Sequence, residues 1–153
     1  MAYTSLHEIT ARLDRVFESS KGIDDDEVKS HYARYLCVLT SGYLEESIKI
    51  IIRTYVESRT QPTISNYIIS STNSITNLKT EKICGFLNTF NNEWKDKFEA
   101  VLTDEEKDAI DSVVANRHQI AHGHNVGVSY IRVKEWYKNV KCAIKKVSEI
   151  VNS

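Results

Sequence analysis

The chain has 153 residues, with 20 Lys and Arg against 21 Asp and Glu, so its formal net charge is −1. That length suits one domain spanning 1–153, and 41% hydrophobic with 27% charged residues excludes a disordered chain. Near-neutrality excludes the global positive field of a wholesale polyanion binder and leaves only local basic faces.

One proline and five glycines leave little punctuation, so long helices are expected. Tyr3 to Ser19 carries Leu6, Ile9, Leu13, Val16 and Phe17 at helical spacing, and Gly22 ends it. Asp24, Asp25, Asp26 and Glu27 then sit where carboxylates favour a helix start. The rival reading of that acid run is a cation site, which a contiguous run serves poorly. From Val28 the pattern stays helical through Tyr35, Leu36, Leu39, Tyr43, Ile48, Ile52 and Tyr55 to Ser58, with Ser41-Gly42 as a bend or a close-packing point. Pro62 stops it, because a proline disfavours helix in the residue before it.

Between Thr63 and Ser74, Ile64, Tyr67, Ile68 and Ile75 suggest a short helix against a high Ser/Thr/Asn content. Lys79 to Phe90 resumes helix, and Trp94, Phe98 and Leu102 continue the spacing, with Trp94 in the core. Thr103-Asp-Glu-Glu106 has the form of a capping box. It opens a helix through Ile110, Val113, Val114 and Ile120 that Gly123 stops. After a polar loop, His124 to Gly127, the last helix runs from Ser129 to Val151. Val133, Tyr137, Val140, Ile144, Val147 and Val151 form its apolar stripe, with Trp136 packing too, while Lys134, Lys138, Lys141 and Lys145 form a basic line. The fold class read from this is all-α, a single up-and-down helical bundle of about five to seven helices.

The longest apolar-dense stretch, Ile48 to Val56, is interrupted by Lys49, Arg53 and Thr54, so no membrane span is expected. Met1 to Thr10 has no basic segment followed by an apolar core, so no signal peptide is expected. Cys37, Cys84 and Cys142 are too few and too scattered for a disulfide framework or a metal set, and read as buried free thiols in a reducing cytoplasm.

The densest polar cluster is Asn116-Arg117-His118-Gln119-Ile120-Ala121-His122-Gly123-His124. Arg117 and His122, five positions apart, differ by about 140° and about 7.5 Å on a helix, whereas His118 and His122 share a face. Three chemistries fit. Arg117 can hold a phosphate in its planar fork while His122 moves protons, enough for attack of an RNA 2′-hydroxyl on its own phosphodiester. His118, His122 and His124 can instead hold a transition metal, although no Cys or acid lies near in sequence to complete the set. The third reading is a helix C-terminus whose Arg and His satisfy carbonyls and dipole.

Arg117-His118-Gln119-Ile120-Ala121-His122-Gly123 closely resembles the signature string of the HEPN superfamily, and Gly42-Tyr43-Leu44-Glu45-Glu46-Ser47-Ile48-Lys49 resembles the acidic second-helix motif of its RiboL-PSP group. The resemblance spans roughly Leu6 to Val151. It implies a HEPN-like bundle that dimerises so that two Arg…His motifs face one cleft. Many members are metal-independent endoribonucleases, often toxins or anti-phage effectors, so an RNA substrate and an antitoxin or other regulatory protein are implied partners. No cofactor is implied. Carried over, Arg117 binds the scissile phosphate and His122 is the acid/base group. His118 stands where the family often has Asn or Asp and supports the site. Glu45, with Glu46 as fallback, is the family acid, and its candidate partner is Arg117.

Between Ser129 and Ser153, Arg132 and five lysines face Glu135 and Glu149, a local charge of +4. Lys134, Lys138 and Lys141 can track an RNA backbone, or form the wet side of the helix. Tyr130 is placed to line the cleft and stack on a base. The expectation is therefore a homodimeric endoribonuclease leaving a 2′,3′-cyclic phosphate and a 5′-hydroxyl. The rival is a non-catalytic HEPN domain that binds a nucleotide, RNA or a partner protein.

Overall fold

Ser5 opens α1 (Leu6–Ser19) with a capping box: its hydroxyl accepts from the Glu8 N–H at 3.1 Å and the Glu8 carboxylate accepts from the Ser5 N–H at 3.2 Å. The computed structural model describes residues 4–153, so Tyr3, the expected start of this helix, and the rest of residues 1–3 lie outside the described residues. Asp25 caps α2 (Asp26–Glu57), accepting from the Val28 N–H at 2.9 Å, with Asp26 and Glu27 in the first turn. The acid run is a helix start, as expected. At 32 residues, α2 is about 48 Å long.

α2 ends at Glu57, just before the Arg59-Thr-Gln-Pro62 stretch, and Pro62 begins α3 (Pro62–Ser71), where its fixed φ suits the first helical position. A 3-10 turn over Thr72–Ser74 follows, so the ambiguous 63–74 stretch is helical. Then come α4 (Thr80–Phe90), α5 (Asn92–Val101), α6 (Asp104–Ala121) and α7 (Tyr130–Val151). The Thr103–Glu106 capping box is present, with 3.1 Å from the Glu106 N–H to the Thr103 hydroxyl.

The helix directions follow from a few contacts. Thr10 meets the Tyr43 hydroxyl at 2.8 Å, so α1 and α2 run antiparallel across their short connection. Tyr137 and Lys141 reach Asp14 near the middle of α1, while Tyr130 reaches Ser20 at its end, so α7 is antiparallel to α1 and parallel to α2. Lys146, near the end of α7, is paired with Glu106, near the start of α6, which makes α6 and α7 a hairpin closed by residues 122–129. The result is an up-and-down bundle of α1, α2, α6 and α7, with α3 to α5 laid against it.

Leu36, Leu44, Ile48, Ile52, Leu87, Phe98, Ile110, Val113 and Val133 are fully buried, each worth about 1.5–3 kcal/mol of hydrophobic stabilisation. All six stripe residues of α7 are buried, as are Trp94 and Trp136. Tyr35 and Val28 lie in helix as their spacing predicts, and are 52% and 51% exposed. Two expectations change. Gly42 is not a close-packing point within the chain, since a Cβ built there meets nothing within 4 Å, and helix runs on through Ser41-Gly42. Cys37 and Cys84 are buried free thiols, but Cys142 is exposed, two positions from both Val140 and Ile144 of the α7 stripe.

Candidate functional site

The motif closes α6 with a hydrogen-bonded stop. His122 is the C-cap, Gly123 follows at φ +75°, the Gly123 N–H donates to the Ile120 carbonyl at 3.1 Å and the His124 N–H to the Gln119 carbonyl at 3.1 Å. These are the paired bonds of a Schellman motif, and the left-handed residue in it favours glycine. The stop fixes where the imidazoles project. His118 and His122, one turn apart, have ring centroids 4.4 Å apart with a 58° tilt. Both are exposed, as is His124, and Arg117 is half-buried beside them. Asn116 is turned inward along the helix, its amide donating to the Ser112 carbonyl at 2.8 Å. Among the described residues, no ion pair engages the Arg117 guanidinium, and no three His, Cys, Asp or Glu are grouped to hold a metal ion.

A half-buried cationic fork and two exposed imidazoles thus stand at one end of α6. Such a set can accept a phosphodiester, whose charge the guanidinium takes and whose hydroxyl protons the imidazoles move. On the neighbouring flank, Asn77, Val114, Ala115, His118 and Gln119 line a shallow depression of about 320 Å³.

Glu45 reaches this cluster only through Asn77, which lines the depression beside His118. Its Oε1 accepts from the Asn77 N–H at 3.3 Å, and no hydrogen bond or ion pair links it to Arg117 among the described residues. Register is the reason. The Cys37 thiol meets the Val113 carbonyl at 3.7 Å, which levels the antiparallel helices at that point. From there Glu45 lies about 12 Å along α2 in one direction and Arg117 about 6 Å along α6 in the other. Glu46 is paired instead with Lys49 at 3.7 Å.

Tyr130 and the lysines belong to another corner. The Tyr130 hydroxyl donates to the Phe17 carbonyl at 3.3 Å and accepts from the Ser20 hydroxyl at 3.1 Å, and Lys29 sits 5.5 Å over its ring. Lys141 is paired with Asp14 at 3.0 Å and lies 4.5 Å over the Tyr137 ring. Lys134 and Lys138 are exposed along a groove between α1 and α7 that Phe17, Glu18 and Ile131 also line. The basic line therefore borders α1 rather than forming one patch with Arg117. Reading the sequence passed over His31 and Arg34, which touch each other on the first turns of α2, at the level of the C-terminal half of α6. Their signal was a basic pair at i, i+3 one helix away from the motif.

No curated protein and no solved structure matches the chain. The family model described as RiboL-PSP-HEPN matches residues 4–153, which takes in α1 to α7, the acidic stretch of α2 and the Arg117…His122 end of α6. The chain belongs to the RiboL-PSP-HEPN family.

Proposed function

We propose that the protein is an endoribonuclease that cleaves RNA by transesterification at a dimeric Arg-x4-His site. The observation that supports this reading is the group at the end of α6: half-buried Arg117, with no ion-pair partner among the described residues, and the exposed His118 and His122 rings, 4.4 Å apart and tilted to one another above a hydrogen-bonded helix stop. In the reaction, the 2′-hydroxyl oxygen attacks phosphorus, its proton passes to an imidazole, the P–O5′ bond breaks, and O5′ takes a proton. Arg117 stabilises the charge on the non-bridging oxygens, His122 is the acid/base group, and His118 holds its ring in place. HEPN domains typically dimerise, and a paired copy supplies the second acid–base group that in-line cleavage needs. A role as a toxin or anti-phage effector held in check by an antitoxin fits such an activity.

The test is incubation with a labelled unstructured RNA in EDTA, beside Arg117→Ala and His122→Ala. We expect cyclic-phosphate and 5′-hydroxyl ends from the wild type, and a rate lower by about 10²–10⁴ in either variant. Unchanged cleavage in both variants refutes the assignment. Binding of RNA without cleavage by a folded, dimeric wild type turns the motif into an interface rather than a catalyst.

A further inference from the structure

The turn that leads from the 3-10 segment into α4 is held at four points. The Thr76 carbonyl accepts from the Lys82 ammonium, and the Asn77 N–H donates to the half-buried Glu45 carboxylate at 3.3 Å. The Leu78 side chain is buried, and the Thr80 N–H donates to Asp111 of α6 at 2.8 Å. Within this turn Asn77 takes φ +53°, the left-handed region that few side chains other than Asn and Asp visit. Backbone fixed there by its surroundings clusters at ligand clamps. Asn77 lines the depression beside His118, together with Lys79, Val114, Ala115 and Gln119. Val114 and Ala115 give that lining an apolar part. Asn77 and Gln119 are exposed, and no hydrogen bond engages either side-chain amide among the described residues. The segment leading to the turn, residues 60–78, has no Asp, Glu, Lys or Arg in a chain that is 27% charged. It offers amides and hydroxyls rather than cations for a phosphate backbone.

We propose that this depression is a nucleobase subsite, in which Asn77 and Gln119 read the edge of a base, adenine, next to the phosphate held by Arg117. This rests on the ribonuclease reading for the chemistry beside the subsite, and adds which nucleotide the site selects. A carboxamide sets a hydrogen-bond donor beside an acceptor, which matches the adenine amino group beside its ring nitrogen. That is the bidentate pairing Asn and Gln make with this base. The base lies against Val114 and Ala115, with a volume of about 320 Å³ to receive it. Lys79, in no ion pair among the described residues, meets the adjoining phosphate. His118 belongs both to the Arg…His cluster and to the depression, so one nucleotide bridges the two. Glu45 is then a positioning residue. Its carboxylate fixes the Asn77 N–H, and through that backbone the amide that reads the base. The acid of α2 thus serves the site without meeting Arg117.

Two readouts test the subsite. Cuts are mapped on an unstructured RNA of mixed sequence, and binding is followed with fluorescein-labelled 2′-O-methyl hexanucleotides of adenine, cytosine or uracil, which lack the attacking hydroxyl. We expect the wild type to favour adenine by about tenfold in both. Asn77→Gly deletes the amide at a residue already at positive φ, and Gln119→Ala sits on an exposed helical position, so both variants stay folded. Each should bring the adenine preference close to one. Glu45→Ala should lower it too, while Glu45→Gln, which still accepts from the Asn77 N–H, should restore it. A purely structural acid shifts melting temperature and overall rate rather than this ratio. Absence of any base preference, preference for another base, or a preference that survives either Asn77→Gly or Gln119→Ala overturns the subsite. Equal loss in Glu45→Ala and Glu45→Gln overturns the positioning role. Cleavage without base preference sinks the subsite alone. Adenine-selective binding that the variants abolish, with no cleavage by the wild type, sinks the ribonuclease reading alone.

Discussion

Glu106 offers the sharpest test of how the α6–α7 hairpin is held. It is 3% exposed, and its Oε1 accepts from the Thr103 N–H at 3.4 Å and from the Lys146 ammonium, which also donates to the Val101 carbonyl at 2.9 Å. Its Oε2 has no hydrogen-bond partner among the described residues, so Lys146 provides most of the compensation for a carboxylate stripped of water. Lys146→Met keeps the packing of the stem and removes the charge. Breaking a fully buried pair costs about 3–5 kcal/mol. The Lys146 side chain keeps 27% exposure, through which water can reach the vacated position, so about 2–3 kcal/mol is expected. For a domain of this size that lowers Tm by roughly 4–12 °C. The assay is thermal unfolding followed by circular dichroism at pH 7, with the Glu106→Gln/Lys146→Met double variant alongside. Glutamine still serves the capping box and carries no charge, so the double variant should recover most of the loss. A fall of under about 2 °C for Lys146→Met, or a double variant worse than both singles added, refutes the reasoning.

Two further outcomes follow from the electrostatics and the thiols. Burial alone pushes the Asp14 carboxyl up, but the hydrogen bonds from Tyr137 and Lys141 and the Lys141 charge outweigh it and hold the group below its ordinary value of 3.8. A lowered folded value means stability that is present above the ordinary carboxylate range and lost as pH falls through it. Asp14→Asn should therefore unfold at a lower temperature than the wild type at pH 7, with the gap closing as the pH falls below the ordinary value of 3.8; a gap independent of pH contradicts the ion-pair account. Burial pushes the Cys37 thiol up to about 12 and also raises Cys84, whereas Cys142 is exposed. Native protein at pH 8 should react with a thiol reagent first at Cys142, and Cys142→Ser should abolish the fast phase; fast labelling that persists in that variant counts against the burial assignments.

The helices were legible in the sequence because their ends are local chemistry. Asp25, Thr103 and Ser129 cap from side chain to nearby backbone, and Gly123 takes a left-handed φ, none of which needs a neighbour from elsewhere in the chain. The Ser5–Glu8 box was equally readable and was passed over. The α7 stripe was legible too, since one amphipathic period has one way to face a core. The Arg117…His122 end of α6 was found by its composition, and its exposure follows from lying in the last turn before a stop.

What the sequence by itself determined is thus everything settled within about four residues: element limits, caps, the buried face of each amphipathic helix, and the cluster that gives the family its signature. The tertiary structure decided what depends on register between helices. Spacing along α2 sets Glu45 on a helix face but not at a height relative to α6, and the contact at Cys37 and Val113 moves it away from Arg117. The same holds for Lys141, drawn to Asp14, and for Tyr130, tied to the end of α1. It holds as well for Tyr35 and Val28, whose helical spacing does not say which way they face and which the bundle leaves about half exposed. A helix fixes the angle of each side chain through its own hydrogen bonds, but its height against a neighbour is fixed only by packing, and packing is a property of the whole chain.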